Sequence, residues 1–186
     1  MVYSAMSATI ENLKTAILGE SKACAKYAAY ASKAAQEGYP LIQKMFEAAS
    51  KAERIHAMNH TKVLVKMGGE PLCYEFNIQV SDTATNLRDA IAGEIYEFTD
   101  MYPPMIVTAK EEGATDAVRS FSWANEAEKG HAALYSTALE QLEAGGKFNL
   151  PAEYYICPLC GDTFAAEKAP EKCPICNVPK SKYILI

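Results

Sequence analysis

The stretch KAERIHAMNH at residues 51–60 turns charged groups onto the side of a helix that should be buried. Steps of three and four residues run through Ile42, Phe46, Ala49, Glu53, His56, His60, Val63 and Met67, a core-facing stripe. Three more segments carry the same anomaly. One stripe holds Phe121, Ala124, Glu128, His131, Tyr135, Ala138 and Leu142, another Leu13, Ile17, Glu20, Tyr27 and Ala31, and a third Leu87, Ala90, Glu94, Glu97 and Met101. Glu20, Glu53, Glu94, Glu97 and Glu128, with His56 and His131, therefore converge on one level of a four-helix core. An unpaired buried carboxylate costs on the order of several kcal/mol or is neutralised by protonation. No Lys or Arg lies on these stripes, so bound cations must supply the missing charge.

Spacing narrows the choice of cation. Residues three apart on a helix share a face, so Glu-x-x-His offers one metal a nitrogen while its carboxylate reaches a second. Glu53-x-x-His56 recurs 75 residues on as Glu128-x-x-His131, and Tyr27 recurs as Tyr102, so the helical hairpins read as pseudo-two-fold copies. One Glu from each of two helices plus Glu-x-x-His from each of the others is the pattern of a di-metal carboxylate centre. Oxygen-rich ligation with few imidazoles suits iron or manganese better than zinc. Two divalent ions would leave the five carboxylates near neutrality. Tyr27 and Tyr102 read either as core aromatics or as phenols bonded to the carboxylates. His60 reads as a satisfied core histidine, Cys24 as a small buried residue, and Glu126 as solvated; Asp100 extends the 94/97 column without a histidine partner.

The segments around these residues predict helices over about 8–36, from Pro40 to Gly68-Gly69, from the SDT at 81–83 to KEEG at 110–113 with a kink or a break at Pro103-Pro104, and from a cap at Asp116 to Gly145-Gly146. Two short links and one long crossover describe a mostly α, ferritin-like four-helix bundle over 1–148. GGKFNLP then serves as a hinge to a small β module over 152–186, too short to bury an adequate core without a metal staple. A formal charge of −5 argues against nucleic acid or an anionic membrane as partner. With no apolar run of ~18 residues and a poor signal peptide at the start, a cytoplasmic protein is expected.

In that module CPLCG and CPICN give C-x2-C-x12-C-x2-C, the spacing of one tetrahedral metal held by Cys157, Cys160, Cys173 and Cys176. Spacing alone favours a structural zinc ribbon. The Cys-Pro-x-Cys-Gly knuckle favours mononuclear iron, because its turn aims backbone N–H groups at sulfur. Asn177 replaces glycine in the second knuckle and can also adopt a left-handed conformation.

Glu20, ERIH at 53–56, EIYE at 94–97, EKGH at 128–131 and the two knuckles together resemble the rubrerythrin family, in order and over essentially the whole chain. The resemblance implies an oxo/carboxylate-bridged di-iron centre on Glu20, Glu53, His56, Glu94, Glu97, Glu128 and His131, with Glu53 and Glu128 as bridges, and a rubredoxin-like Fe(Cys)4 site. It also implies reduction of hydrogen peroxide to water in oxidative-stress defence. His56 and Glu97 would exchange as ligands with redox state, and Tyr27 and Tyr102 join them as catalytic residues. Two electrons are needed per peroxide, and the one-electron Fe(Cys)4 site would refill the pair.

Two other classes compete: an iron-storage or ferroxidase bundle, and a metal-binding protein with a structural zinc ribbon. No dinucleotide-binding glycine pattern occurs, so the electron donor, a rubredoxin or an NAD(P)H-linked reductase, is a separate protein. Leu142 lies eleven residues beyond His131, or about 16 Å along a helix, before the cysteine module begins. That distance predicts a homodimer or larger assembly in which electrons cross between subunits.

Overall fold

The computed structural model describes residues 7–145 and 147–186. The poor signal peptide at the N-terminus and the Gly146 half of the helix stop lie largely outside these residues. Helices α1 (Ala8–Gln36) and α2 (Pro40–Lys66) form one hairpin. A crossover leads to α3 (Thr83–Tyr96), which continues through a π turn at Glu97–Met101 into α4 (Tyr102–Glu111) as one long rod. Helix α5 (Thr115–Glu143) completes a ferritin-like bundle.

Local chemistry sets the ends. Pro40 opens α2 at a first-turn position where its missing N–H is harmless. Asp82 caps α3, its carboxylate accepting from the Thr85 amide at 2.9 Å. Where a kink or a break was expected the helix continues through a π turn: the Tyr102 amide bonds back to the Glu97 carbonyl just before two prolines that have no N–H to donate. Asp116 does not cap α5. The cap position is Ala114, and Asp116 sits in the first turn, bonded to Arg119 at 2.6 Å and to Lys66. Its carboxylate finds cations on the surface rather than the free amides of the helix start.

The apolar core is split in two. Tyr27, Tyr30, Phe46, Leu87 and Tyr135 gather on one side, and Leu13, Leu64, Met101, Tyr102 and Phe121 on the other. On every helix the acidic residues fall between these clusters. Each fully buried aromatic or aliphatic side chain stabilises by about 1.5–3 kcal/mol, and the two apolar plugs hold the acidic layer between them.

The C-terminal module is a three-stranded antiparallel sheet of β1 (Tyr154–Ile156), β2 (Thr163–Ala165) and β3 (Ile184–Leu185), in the order β2-β1-β3. It does not continue outward from α5. Phe148 stacks edge-on against Tyr39 with ring centroids 5.7 Å apart, and Leu150, Tyr154 and Ile156 are buried in the bundle's first apolar cluster. These side chains carry the chain back along α2 and return the module to the level of the acidic layer. The premise of a long path within one chain is therefore wrong: the distance gained along α5 is retraced. No helix among the described residues is long and apolar enough to cross a membrane.

Candidate metal centres

Two overlapping ligand groups occupy the acidic layer. Glu20, Glu53, His56 and Glu128 present ligand atoms within 4.8 Å of one another, and so do Glu53, Glu94, Glu128 and His131. All are buried, and Glu53 and Glu128 belong to both groups, as bridging carboxylates would. His56 Nδ1 lies 2.9 Å from Glu53 and 2.8 Å from Glu128; His131 Nδ1 lies 2.7 Å from Glu128 and 3.2 Å from Glu53. The 75-residue repeat is thus a near-two-fold arrangement in space.

The outer nitrogens settle which ring atom faces the centre. His56 Nε2 lies 3.0 Å from the Cys160 carbonyl, which only accepts, so Nε2 carries the proton and Nδ1 faces the carboxylates. His131 Nε2 lies 3.0 Å from Thr163 Oγ1, whose own proton goes to the Gly161 carbonyl, so His131 donates there too.

The electrostatics call for cations. Burial raises the Glu53, Glu94 and Glu97 carboxyls, and neighbouring carboxylates raise them further. Burial would raise Glu20 and Glu128 as well, but His56, joined at Glu20 by His60, holds both below the usual range. Burial would depress the imidazoles of His56 and His131, yet the surrounding carboxylates carry both well above the ordinary histidine value. Glu97 Oε2 is buried without a hydrogen-bond partner, and one buried oxygen on each of Glu20, Glu53 and Glu128 faces only the Nδ1 atom of His56 or His131, the ring nitrogen left without a proton when Nε2 donates. Orphaned anionic oxygens are intolerable in a core unless a cation takes them. The donor set fits a di-iron centre.

Glu97 is the exception in the set. It is buried beside the centre but belongs to neither four-residue group. Both tyrosines contact the carboxylates. Tyr27 donates to Glu94 at 2.7 Å, and Tyr102 donates to Glu20. His60 is satisfied on both ring nitrogens, by Ser120 and Tyr102. Glu126 is exposed as expected; Asp100, which extends the 94/97 column in sequence, is exposed too, and Cys24 is half-buried rather than buried, its thiol beside Ser50.

Cys157, Cys160, Cys173 and Cys176 form the second centre, with sulfurs 3.3 Å apart across 157/176 and 3.4 Å across 160/173. Both knuckles turn through left-handed residues, Gly161 at φ 82° and Asn177 at φ 63°, so asparagine does replace glycine there. The Cys157 thiol is lowered to about 5, by the neighbouring Cys160 thiol and by the amides of Cys160 and Leu159 aimed at its sulfur. These four thiols form the rubredoxin-like iron site.

The two centres meet directly. Besides the Cys160–His56 bond, Asn59 donates to the Leu159 carbonyl at 2.7 Å. A Cβ on Gly161 would stand 2.2 Å from His56 Nε2, so only glycine allows this approach. Gly161 is legible in the sequence as the glycine of the first knuckle but not as a contact of His56, and Thr163, Asn59 and Ser120 were not singled out. Ser120 alone carried a signal, as a polar residue eight before Glu128 on the same stripe.

Residues 11–139 match the family model described as Rubrerythrin, and residues 155–184 the one described as Rubrerythrin, rubredoxin-like domain. The chain is 40% identical over 184 residues to nigerythrin of Nitratidesulfovibrio vulgaris, covering 97% of this chain and 87% of that protein. It is 37% identical over 181 residues to rubrerythrin-2 of Clostridium acetobutylicum, covering 94% and 95%. The structure of nigerythrin in its fully reduced, all-ferrous state superposes with a TM-score of 0.84 at 38% identity, over 100% of this chain and 92% of that one. A humanized archaeal ferritin shares the fold, with a TM-score of 0.63 at 17% identity over 77% and 88% of the two chains.

Proposed function

This chain belongs to the rubrerythrin family, and from that premise we propose that it is a non-haem di-iron peroxidase that reduces hydrogen peroxide to water in the cytoplasm, in defence against oxidative stress. The observation that carries the reading is the direct bond between the two centres: His56 faces the carboxylate layer through Nδ1 and the Cys160 carbonyl through Nε2. An iron pair supplies two electrons together, which is what cleavage of an O–O bond requires.

The residues divide the remaining work. Glu53 and Glu128, shared by both ligand groups, would bridge the two irons, and Glu20, Glu94, His56 and His131 would hold them from either side. Glu97 is the spare carboxylate, beside the other carboxylates and with an orphan oxygen, and would exchange with His56 as a ligand. Tyr27 and Tyr102 orient the terminal carboxylates by donating to them. The Cys160 carbonyl and the His56 imidazole join the thiolate site to the bundle, so electrons enter by that bond. They come from a separate donor, a rubredoxin or an NAD(P)H-linked reductase.

Anaerobic titration of the reduced, iron-loaded chain with hydrogen peroxide tests the reading. One peroxide should reoxidise the iron pair without release of dioxygen. Iron oxidation by dioxygen with indifference to peroxide would indicate a ferroxidase instead.

A further inference from the structure

Ser120, His60 and Tyr102 form a hydrogen-bonded chain whose direction is fixed at every joint. Tyr102 has one proton, and it goes to Glu20. Its oxygen therefore accepts from His60 Nε2, 3.1 Å away. Within hydrogen-bond distance Nε2 meets only the Tyr102 hydroxyl and Nδ1 only the Ser120 hydroxyl, so an imidazole that donates from Nε2 keeps its lone pair at Nδ1. With Nε2 protonated, Nδ1 is an acceptor, and Ser120 Oγ donates to it at 2.8 Å. His60 is fully buried between the rings of Tyr102 and Phe121.

The outer end of the chain reaches a surface. Ser120 lines a cleft of about 380 Å³ at the seam between α2, α5 and the cysteine module, walled also by Asn59, Lys62, Trp123 and Leu159. The other half of the pseudo-two-fold has no such chain. The residue 75 after His60 is Tyr135, whose hydroxyl is buried without a partner, and the residue 75 before Ser120 is Met45, which carries no hydroxyl. The two-fold is kept for Tyr27 and Tyr102 and broken for everything behind them.

We propose that Ser120 and His60 are positioning residues that hold the Tyr102 proton on Glu20 and open a proton path from the seam cleft to one end of the metal centre. This rests on the peroxidase reading. Reducing one peroxide to two waters consumes two protons with two electrons, and the electrons come from the thiolate site and its donor. In each transfer Ser120 passes its proton to His60 Nδ1 and regains one from cleft water. His60 passes its Nε2 proton to Tyr102, and Tyr102 passes its own to Glu20. The transfer leaves His60 protonated on Nδ1, and the Nε2–H form must be restored before a second proton can follow. Electrons enter at His56 and protons at Ser120, on separate routes.

Two measurements on the full-length chain test this. In the zinc-loaded, diamagnetic protein, 15N NMR should show His60 with Nε2 protonated and Nδ1 a hydrogen-bond acceptor; the chain has three histidines, which keeps assignment simple. In the reduced, iron-loaded protein, Ser120→Ala should slow single-turnover oxidation by peroxide roughly tenfold or more and change its solvent deuterium isotope effect, with iron content unaltered. Ser120→Thr should restore both. A His60 protonated on Nδ1 in the wild type overturns the wiring, and a Ser120→Ala protein with unchanged rate and isotope effect overturns the path. A wild type that consumes no peroxide removes the peroxidase reading and the use of the path with it, while the tautomer measurement decides the wiring independently.

Discussion

Tyr27 on α1 donates a 2.7 Å hydrogen bond to Glu94 on α3, and its mate 75 residues on, Tyr102, donates to Glu20 on α1. Each half of the internal repeat thus holds the terminal carboxylate of the other. A bond from a neutral donor to a charged acceptor stabilises by about 1.5–3 kcal/mol. Tyr27→Phe should lower the unfolding free energy of the metal-loaded chain by about that much. Tyr102→Phe should lower it more, because His60 then loses its acceptor as well. Urea unfolding of the two variants checks this, and equal losses would mean that the His60 bond contributes nothing.

Three ligand groups imply three irons at full loading. Cys157→Ser should remove the red colour of the oxidised thiolate site and one iron, and leave the helical content intact. Loss of all the iron together would show that the module and the bundle do not load as independent sites.

Glu97 stands outside both ligand groups although it shares their layer. Glu97→Ala should therefore keep two irons in the bundle, while peroxide turnover falls by roughly tenfold or more. Undiminished turnover would dispose of ligand exchange with His56. Loss of both irons would make Glu97 a structural ligand.

Most of this site could be read from the sequence because its ligands sit on long helices, where a period of 3.6 fixes the shared face of Glu53, His56, Glu128 and His131. The cysteine knuckles were equally plain, since their spacing is local. What escaped was set by tertiary packing. Nothing periodic in GGKFNLP tells that Phe148 and Leu150 will find the bundle and turn the module back toward His56. Ser120 and His60 lie on different helices, and their bond follows from how α2 and α5 are matched in register. The stripe placed Glu97 with its neighbours, but the π turn that begins at Glu97 alters the ladder there.

The metal-free chain should weaken as pH rises above the acid range. Glu53, Glu94 and Glu97 have folded values raised above the ordinary 4.5, and His56 and His131 values above the ordinary 6.5. Such groups bind more protons folded than unfolded, so their stabilisation is complete below those ordinary values and is lost as pH climbs toward the folded ones. Glu20 and Glu128 are lowered and work the other way, losing stability only as pH falls below 4.5. Metal ions replace the protons, so the gain in melting temperature on loading should widen between about pH 5 and pH 8. A gain independent of pH would contradict this charge pattern.

Gly161 tests the contact between the centres. Gly161→Ala would place a methyl 2.2 Å from His56 Nε2, on a backbone at φ 82°, so the module must lift away. Overpacking of this kind costs about 1–3 kcal/mol. Both centres should still load, while reduction of the bundle by the thiolate site slows, as stopped-flow absorbance would record. Unchanged transfer would show that the Cys160–His56 bond is not the route.

The same contact decides whether electrons stay within one chain. Here the module rests on its own bundle, through Cys160–His56, Leu159–Asn59 and Thr163–His131. Two chains that exchanged modules would keep every one of these bonds and change only the path of residues 147–153. A Cys157→Ser chain lacks the thiolate site and a Glu53→Ala chain lacks a bridging carboxylate, so neither should turn over peroxide with its electron donor. If the module serves its own bundle, mixing them leaves activity absent even when heterodimers form. Recovery toward half the wild-type rate per competent bundle would assign the contact to a partner's module and return the inter-subunit route that the sequence first indicated.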